Sequence, residues 1–123
     1  MDLIAHTEGM GVSVRYVNHM DRWGRYDHNT GRITLLSGMG HVQWRSTLAH
    51  ECGHAFWGHT RDGPKQERQA DAYAVGLLIP LGDWARATAN ADDLAHVAQE
   101  LSVLPRLAHA AYRIYQEGLI MGR

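Results

Sequence analysis

The amino-acid sequence predicts an α+β domain in which short β-strands come first and α-helices follow. Residues 12–17 alternate apolar and polar side chains with the two-residue period of a strand. Turn-forming residues at 27–31 separate two further strand-like segments. Residues 42–49 contain neither Gly nor Pro and lead into a helix. The chain has 123 residues, of which 45% are hydrophobic, so residues 1–123 can bury one core as a single domain.

The first predicted elements are a short helix and three strands. The helix covers residues 2–8, and the strands cover residues 12–17, 23–26 and 32–37. The loop at 27–31 reads Asp-His-Asn-Thr-Gly, and these residue types favour tight turns. The second and third strands should therefore form a hairpin.

Two helices are expected in the middle of the chain. The first begins near residue 42 and ends in the turn-rich stretch 58–64. The second begins near Pro64, with Asp62 or Gly63 as its N-cap, because proline is well tolerated in the first turn of a helix. Residues 1–80 should then form the sheet and the central helices, and residues 81–123 should follow them as a C-terminal helical part.

The C-terminal part should contain two short helices. The predicted boundaries are a break at 80–82, a helix start at Asn90 or Ala91, and a last helix from Pro105 to about Glu117 with Gly118 as its stop. Two short helices joined in this way resemble half of a helix-turn-helix. The net charge is −1, which leaves no basic recognition face, so packing or substrate docking is favoured over reading DNA.

Residues 50–54 read His-Glu-Cys-Gly-His, which is the HExxH pattern of a zinc-dependent peptidase helix. Residues four apart on a helix lie about 40° apart around its axis, so His50 and His54 can reach one metal ion. Glu51 then projects beside that ion, where a general base for a metal-bound water must lie. The pattern predicts His50 and His54 as metal ligands and Glu51 as the catalytic base.

The two residues inside the motif have structural interpretations. Glycine costs about 1 kcal/mol relative to alanine within a helix, so Gly53 is expected to allow close approach of a neighbouring element. Cys52 is the single cysteine, which excludes an internal disulfide. Its side chain is expected to be a small buried hydrophobe.

A zinc ion held by two histidines needs a third protein ligand and keeps its fourth position for water. The metzincin pattern would require Gly and His where this chain has Trp57 and Thr60, so that class is excluded. The remaining candidates are His59, Asp62, Glu67 and Asp71.

Helical geometry separates these candidates. His59 follows His54 by five residues, about 140° around a continuing helix, and would point away from the metal. Glu67 lies near the start of the second helix, which should pack against the first, and is favoured as the ligand. Asp71 follows one turn later on the same face. There it can accept a hydrogen bond from the outer nitrogen of a zinc-bound imidazole.

Two segments resemble the ImmA/IrrE-type metallopeptidases. Residues 48–59 read LAHECGHAFWGH, close to the LAHELGHxxxGH of that family. Residues 67–80 read ERQADAYAVGLLIP, close to ExxAN/DxFAxxLLMP. The resemblance covers residues 12–80. Tyr73 replaces the usual Phe and Asp71 replaces a common Asn, and neither change alters the expected zinc chemistry.

The resemblance implies a minimal zincin-like domain: a small three-stranded antiparallel sheet, an active-site helix, a Glu-bearing helix and C-terminal helices. It also implies that the third strand, around residues 33–36, borders the cleft and pairs with an extended substrate. Members are cytoplasmic proteases, many from phages and mobile elements, that act on a partner transcriptional repressor. A helix-turn-helix repressor is therefore the expected partner. Cytoplasmic localisation agrees with the absence of a membrane-spanning run or a signal sequence.

The expected function is zinc-dependent endopeptidase activity, with one Zn²⁺ held by His50, His54 and Glu67. A His/His/Glu site also accepts Mn²⁺, Co²⁺ or Ni²⁺. The oxyanion could be held by Tyr26, His28 or Tyr73, and spacing does not choose among them. Two alternatives stay open at this point: a metal-stabilised regulator that binds the repressor without cleaving it, and a DNA-binding regulator.

Overall fold

The computed structural model describes residues 1–117 and has the predicted α+β class. The strands are β1 (Ser13–Val17), β2 (Gly24–Asp27) and β3 (Arg32–Leu36). The helices are α1 (Leu3–Gly9), α2 (His41–Trp57), α3 (Pro64–Leu78), α4 (Leu81–Asn90), α5 (Leu94–Leu101) and α6 (Pro105–Ala111), and a π-helical segment (Tyr112–Glu117) continues α6. Over these described residues, no helix combines the length and apolar character needed to cross a bilayer.

The sheet is mixed, so the expectation of a purely antiparallel sheet is wrong. Its strand order is β1-β3-β2, with β3 parallel to β1 and antiparallel to β2. The central strand β3 carries Ile33 and Leu35, which are both fully buried. Strand β2 has the sequence GRYD and is suited to an edge, because polar and charged side chains protect an open strand from unwanted pairing.

This strand order also corrects the assignment of the cleft-bordering strand. The third strand was expected at the edge, but β3 lies between the other two strands. The hairpin makes β2 and β3 antiparallel neighbours, and β1 occupies the other side of β3. Strand β2 is therefore the free edge next to α2, and several of its residues line the main cleft.

Helix α2 is the central element of the core. Leu48, Ala49 and Cys52 are completely buried, as are Ile33 and Leu35 on the inner face of the sheet. The prediction for Cys52 is confirmed, and its Sγ lies 3.1 Å from Oγ1 of Thr7 on α1. Burial of the middle of α2, residues 46–54, holds the motif side chains in fixed positions.

Helices α2 and α3 approach each other very closely at Gly53. An added Cβ at Gly53 would lie 2.6 Å from both Cα and the carbonyl oxygen of Ala70. No real Cβ tolerates that distance, so only glycine allows the helices to cross here. The expectation that Gly53 serves close approach is confirmed.

The boundaries of α2 and α3 agree with the predictions, and Gly63 is the N-cap of α3. Helix α4 was missed, because the run at 80–82 was interpreted only as a break. Pro80 ends α3 but also serves as the N-cap of α4, where its missing N–H costs nothing. Trp84 and Ala87 then bury the inner face of α4.

Helix α5 begins later than predicted, at Leu94. Asp93 is its N-cap and accepts a hydrogen bond from the His96 N–H at 2.9 Å. The predicted helix from Pro105 continues to Glu117, first as α6 and then as the π-helical segment. The predicted stop at Gly118 lies outside the described residues.

The C-terminal helices are attached directly to α2. Arg45 donates hydrogen bonds to the carbonyl oxygens of Leu101 and Ser102, at 2.9 and 2.8 Å. The Leu104 N–H donates to Oγ of the buried Ser46 at 3.1 Å. The loop between α5 and α6 is thereby fixed against the first half of α2.

We expect Gly53→Ala to lower the free energy of unfolding by about 1–3 kcal/mol, because the new methyl group must separate α2 from α3. Urea denaturation measures the change. Gly76→Ala is the matched control: Gly76 lies within α3 and an added Cβ there would meet nothing within 4 Å. That variant should gain about 0.5–1 kcal/mol from helix propensity. Equal stability of Gly53→Ala and wild type would contradict the inferred contact.

Candidate metal centre

The HExxH residues lie in the buried middle of α2. The exposed fractions are 7% for His50, 8% for Glu51 and 4% for His54. The Nε2 atoms of the two histidines are 3.1 Å apart, as expected for side chains one helical turn apart that turn toward a common point. Together with Glu51 they form a cluster of potential metal ligands.

Glu67 reaches the same point from α3. Its Oε2 lies 3.3 Å from Nε2 of His50 and 2.6 Å from Nε2 of His54. Glu67 occupies the first turn of α3, one helical turn before Ala70, which contacts Gly53. The close crossing of the helices therefore brings the carboxylate to the two imidazoles.

The three converging atoms fit a divalent transition metal. Ligand atoms about 2.0–2.1 Å from a tetrahedral zinc ion are roughly 3.3 Å from one another. Two of the three observed separations, 3.1 and 3.3 Å, agree with this value, and the 2.6 Å pair needs only a small outward shift of Glu67. The set of two imidazole nitrogens and one carboxylate oxygen also leaves a fourth position for water or substrate.

Asp71 lies behind His50, where sequence reasoning expected it. Its Oδ1 is 2.7 Å from Nδ1 of His50, and its side chain is only 14% exposed. A carboxylate accepts hydrogen bonds, so Nδ1 of His50 donates and Nε2 is left free to bind a metal. Burial by itself lowers the pKa of His50, but the hydrogen bond to Asp71 and the negative charges of Glu51 and Asp71 together outweigh burial, and the pKa is raised. Burial likewise opposes ionisation of Asp71, yet His50 holds the pKa of that carboxyl below its usual range.

Arg106 also contacts Asp71, and sequence reasoning missed it. Its Nε lies 3.4 Å from the same Oδ1 atom that His50 uses. Arg106 belongs to α6, 35 residues further along the chain. No local pattern links the two residues, and only the packing of α6 on α3 brings them together.

The expectation for His59 is wrong, because this side chain turns back toward the site. Its Nδ1 lies 2.9 Å from Nδ1 of His54, and its Nε2 lies 2.8 Å from Oε1 of Gln69. The 140° argument assumed that α2 continues past Trp57. Instead Gly58 adopts a left-handed conformation with φ of 64°, and the chain reverses there.

A cleft of about 1010 Å³ opens beside Glu51. Strand β2, helix α2, the turn at 59–63 and the start of α3 surround it. Gly24 of β2 lies directly over the motif, since an added Cβ would meet Cγ of Glu51 at 3.2 Å and Cγ2 of Thr47 at 2.8 Å. Burial raises the pKa of Glu51 to about 7, which suits a group that exchanges protons near neutral pH.

Two loops meet across the rim of this cleft. Nη1 of Arg22, before β2, donates to Oδ2 of Asp62, in the turn after α2, at 3.0 Å. Asp62 is also one of the predicted ligand candidates, and it forms a second cluster of potential ligands with His54 and Glu67. The structure thus brings two acidic candidates near His54, of which Glu67 also reaches His50.

The oxyanion candidates lie in different places. Tyr26 and His28 both line the cleft, and the Tyr26 hydroxyl is 3.0 Å from Nδ1 of His28. The hydroxyl of Tyr73 instead lies 2.8 Å from Nε2 of His6 and 3.7 Å from Sδ of Met10. The geometry favours Tyr26 and His28 over Tyr73.

An α+β domain with a buried HExxH helix, a facing acidic helix and an open cleft defines a metallopeptidase-type protein. Comparison with known families agrees: the model of a peptidase family, described as the IrrE N-terminal-like domain, matches residues 7–113. The chain therefore belongs to this IrrE N-terminal-like peptidase family, as the resemblance predicted. A search of curated proteins found no match.

We expect Asp71→Asn to weaken metal binding by about tenfold or more, because a neutral amide supports the imidazole of His50 less well than a carboxylate. Competition with a chromogenic chelator measures the dissociation constant. Asp83→Asn is the control, since Asp83 pairs with Arg86 on α4, outside the residues that line the cleft. An unchanged affinity in Asp71→Asn would show that the hydrogen bond to His50 does not support the ligand.

Proposed function

We propose that this protein is a zinc-dependent endopeptidase. The observation that carries the proposal is the convergence of His50, His54 and Glu67 to within 3.3 Å of one another, beside the buried carboxylate of Glu51. Membership in a peptidase family supports the same reaction class.

In this proposal His50, His54 and Glu67 hold one zinc ion. A bound Zn²⁺ would supply Lewis-acid polarisation of the scissile carbonyl and would lower the pKa of a coordinated water. The chemistry of the three ligand atoms fits zinc, and the same set also accepts Mn²⁺, Co²⁺ or Ni²⁺. Asp71 keeps His50 in the tautomer that leaves Nε2 free.

Glu51 is the proposed general base. Its carboxylate accepts a proton from the attacking water and then delivers that proton to the leaving amine nitrogen as the C–N bond breaks. The low solvent exposure and a pKa of about 7 support this double role, since the group can both take up and release a proton near neutral pH.

The edge strand β2 is proposed to align the substrate. An extended peptide can add to a free strand edge through backbone hydrogen bonds, and β2 is the edge strand that borders the cleft. Gly24 lets this strand pass within van der Waals distance of Glu51. An open cleft that is lined by the whole of strand β2 suits cleavage within a polypeptide, which favours an endopeptidase.

The proposed substrate is a partner transcriptional repressor with a helix-turn-helix. This part of the proposal is supported by the resemblance of residues 48–59 and 67–80 to the ImmA/IrrE-type peptidases, whose members act on such repressors. Incubation with any helix-turn-helix repressor found encoded next to this chain would test it. Discrete fragments support proteolysis, whereas a stable complex with an intact repressor would replace the proposal with a binding function.

Glu51→Gln should abolish cleavage while the protein still binds about one zinc per chain, because the amide cannot accept the proton of water. Metal content by atomic absorption and fragment formation by mass spectrometry separate the two properties. Full cleavage by this variant would exclude Glu51 as the base.

Loss of a residue that hydrogen-bonds to a metal ligand weakens metal binding by roughly 10–100-fold. Glu67→Gln should weaken zinc binding by more than this. The reason is that the variant removes the charge of one of three proposed ligands. Asp62→Asn is the matched comparison, because both carboxylates lie near His54. If Asp62→Asn loses the metal and Glu67→Gln retains it, the third ligand is Asp62.

A further inference from the structure

We propose that His59 and Gln69 form a hydrogen-bond chain that holds His54 in its metal-binding tautomer and orientation. They are positioning residues, since they act through His54. The inference rests on the metal site of the proposed function, but it does not depend on which substrate is cleaved.

The chain starts at the side of His54 that faces away from the other ligands. Nε2 of His54 points toward Glu67 and His50, whereas Nδ1 lies 2.9 Å from Nδ1 of His59. The other ring nitrogen of His59 lies 2.8 Å from Oε1 of Gln69 on α3. Three side chains therefore form a continuous path from the proposed ligand to the neighbouring helix.

The end of α2 fixes His59 in this place. The Gly58 N–H donates to the Ala55 carbonyl at 3.1 Å, and the His59 N–H donates to the His54 carbonyl at 3.0 Å. This pair of bonds, with glycine in the left-handed conformation, is the Schellman motif. The motif normally brings the side chains of these two positions into apolar contact. Here the same two positions carry His54 and His59, so the contact becomes a hydrogen bond.

Proton positions along the chain determine which nitrogen of His54 can bind a metal. The Gln69 oxygen can only accept, so Nε2 of His59 donates to it and Nδ1 of His59 is an acceptor. Nδ1 of His54 must then carry the hydrogen, which leaves the lone pair on its Nε2 directed at Glu67 and His50. The opposite arrangement, with the Gln69 amide reversed, would put a hydrogen on Nε2 of His54 and block the metal. Metal binding therefore selects one direction of the chain.

The two histidine ligands are thus supported by different chemistry. His50 is supported by the carboxylate of Asp71, whereas His54 is supported by a neutral imidazole and a neutral amide. The site already contains the carboxylates of Glu51, Asp62, Glu67 and Asp71. A neutral chain fixes the second imidazole without adding a further negative charge.

The test compares zinc affinity of the full chain and its variants. His59→Ala and Gln69→Leu should each weaken zinc binding by about 10–100-fold. The double variant should be no weaker than His59→Ala alone, because both changes break one chain. Gln69→Glu should retain the affinity, since a carboxylate still accepts the hydrogen bond. The controls are Gln99→Leu and His96→Ala, both on the exposed side of α5, which should bind zinc like wild type.

A second measurement separates positioning from a merely structural role. Long-range ¹H–¹⁵N spectra of the zinc-loaded wild type should show His54 protonated at Nδ1 and His59 protonated at Nε2. Unchanged zinc affinity in both single variants, or a hydrogen on Nδ1 of His59, would overturn the proposal. Because these readouts do not involve cleavage, they can fail while the Glu51→Gln test succeeds. Failure of the wild type to bind zinc would instead overturn the metal site itself.

Discussion

The crossing of α2 and α3 at Gly53 and Ala70 is the constraint on which the site depends. Gly53 is the contact residue of α2, and Ala70 is the contact residue of α3. On each helix, the third residue before the contact residue and the first residue after it belong to the site. On α2 these residues are His50 and His54, and on α3 they are Glu67 and Asp71. Because an added Cβ at Gly53 would lie only 2.6 Å from the backbone of Ala70, the helix axes come close enough for short side chains to meet. A helix pair separated by an ordinary side chain would leave the carboxylate of Glu67 short of both imidazoles.

Burial then gives the carboxylates of this site different properties. Asp71 faces His50 and Arg106, which keep its pKa below the usual range despite burial, so it remains a charged acceptor. Glu51 is more deeply buried than Asp71, and in this case burial dominates and raises the pKa to about 7. Environments that push the pKa values of two neighbouring acids apart are how enzymes assign separate roles to them. One carboxylate is suited to orienting a ligand and the other to moving protons.

Local sequence signals predicted the elements of this site better than their arrangement. The HExxH spacing, the Pro64 start of α3 and the glycine at the crossing each depend on a few neighbouring residues, and these expectations hold. The order of the strands depends instead on the parallel pairing of β1 with β3, which joins residues such as Ser13 and Arg32 that are distant in the sequence, and hairpin patterns alone do not predict that pairing. The direction of the His59 side chain was predicted wrongly because the 140° offset from His54 holds only within a helix, and α2 ends at Gly58. A glycine in the left-handed conformation commonly ends a helix and turns the next residue back toward the last helical turn. The sequence Gly58-His59 could therefore have predicted that His59 approaches His54.

Residues beyond α3 also contact the site, and the family match extends over them to residue 113. Arg106 on α6 shares the Asp71 oxygen that supports His50, and Arg45 and Ser46 of α2 hold the preceding loop through its backbone. The C-terminal helices are therefore connected to the proposed metal ligands at two places, through α3 and through α2. Displacing α6 would remove a positive charge from beside Asp71 and would leave that buried carboxylate with His50 alone. For this reason the environment of His50 depends on the packing of α6 as well as on the two site helices.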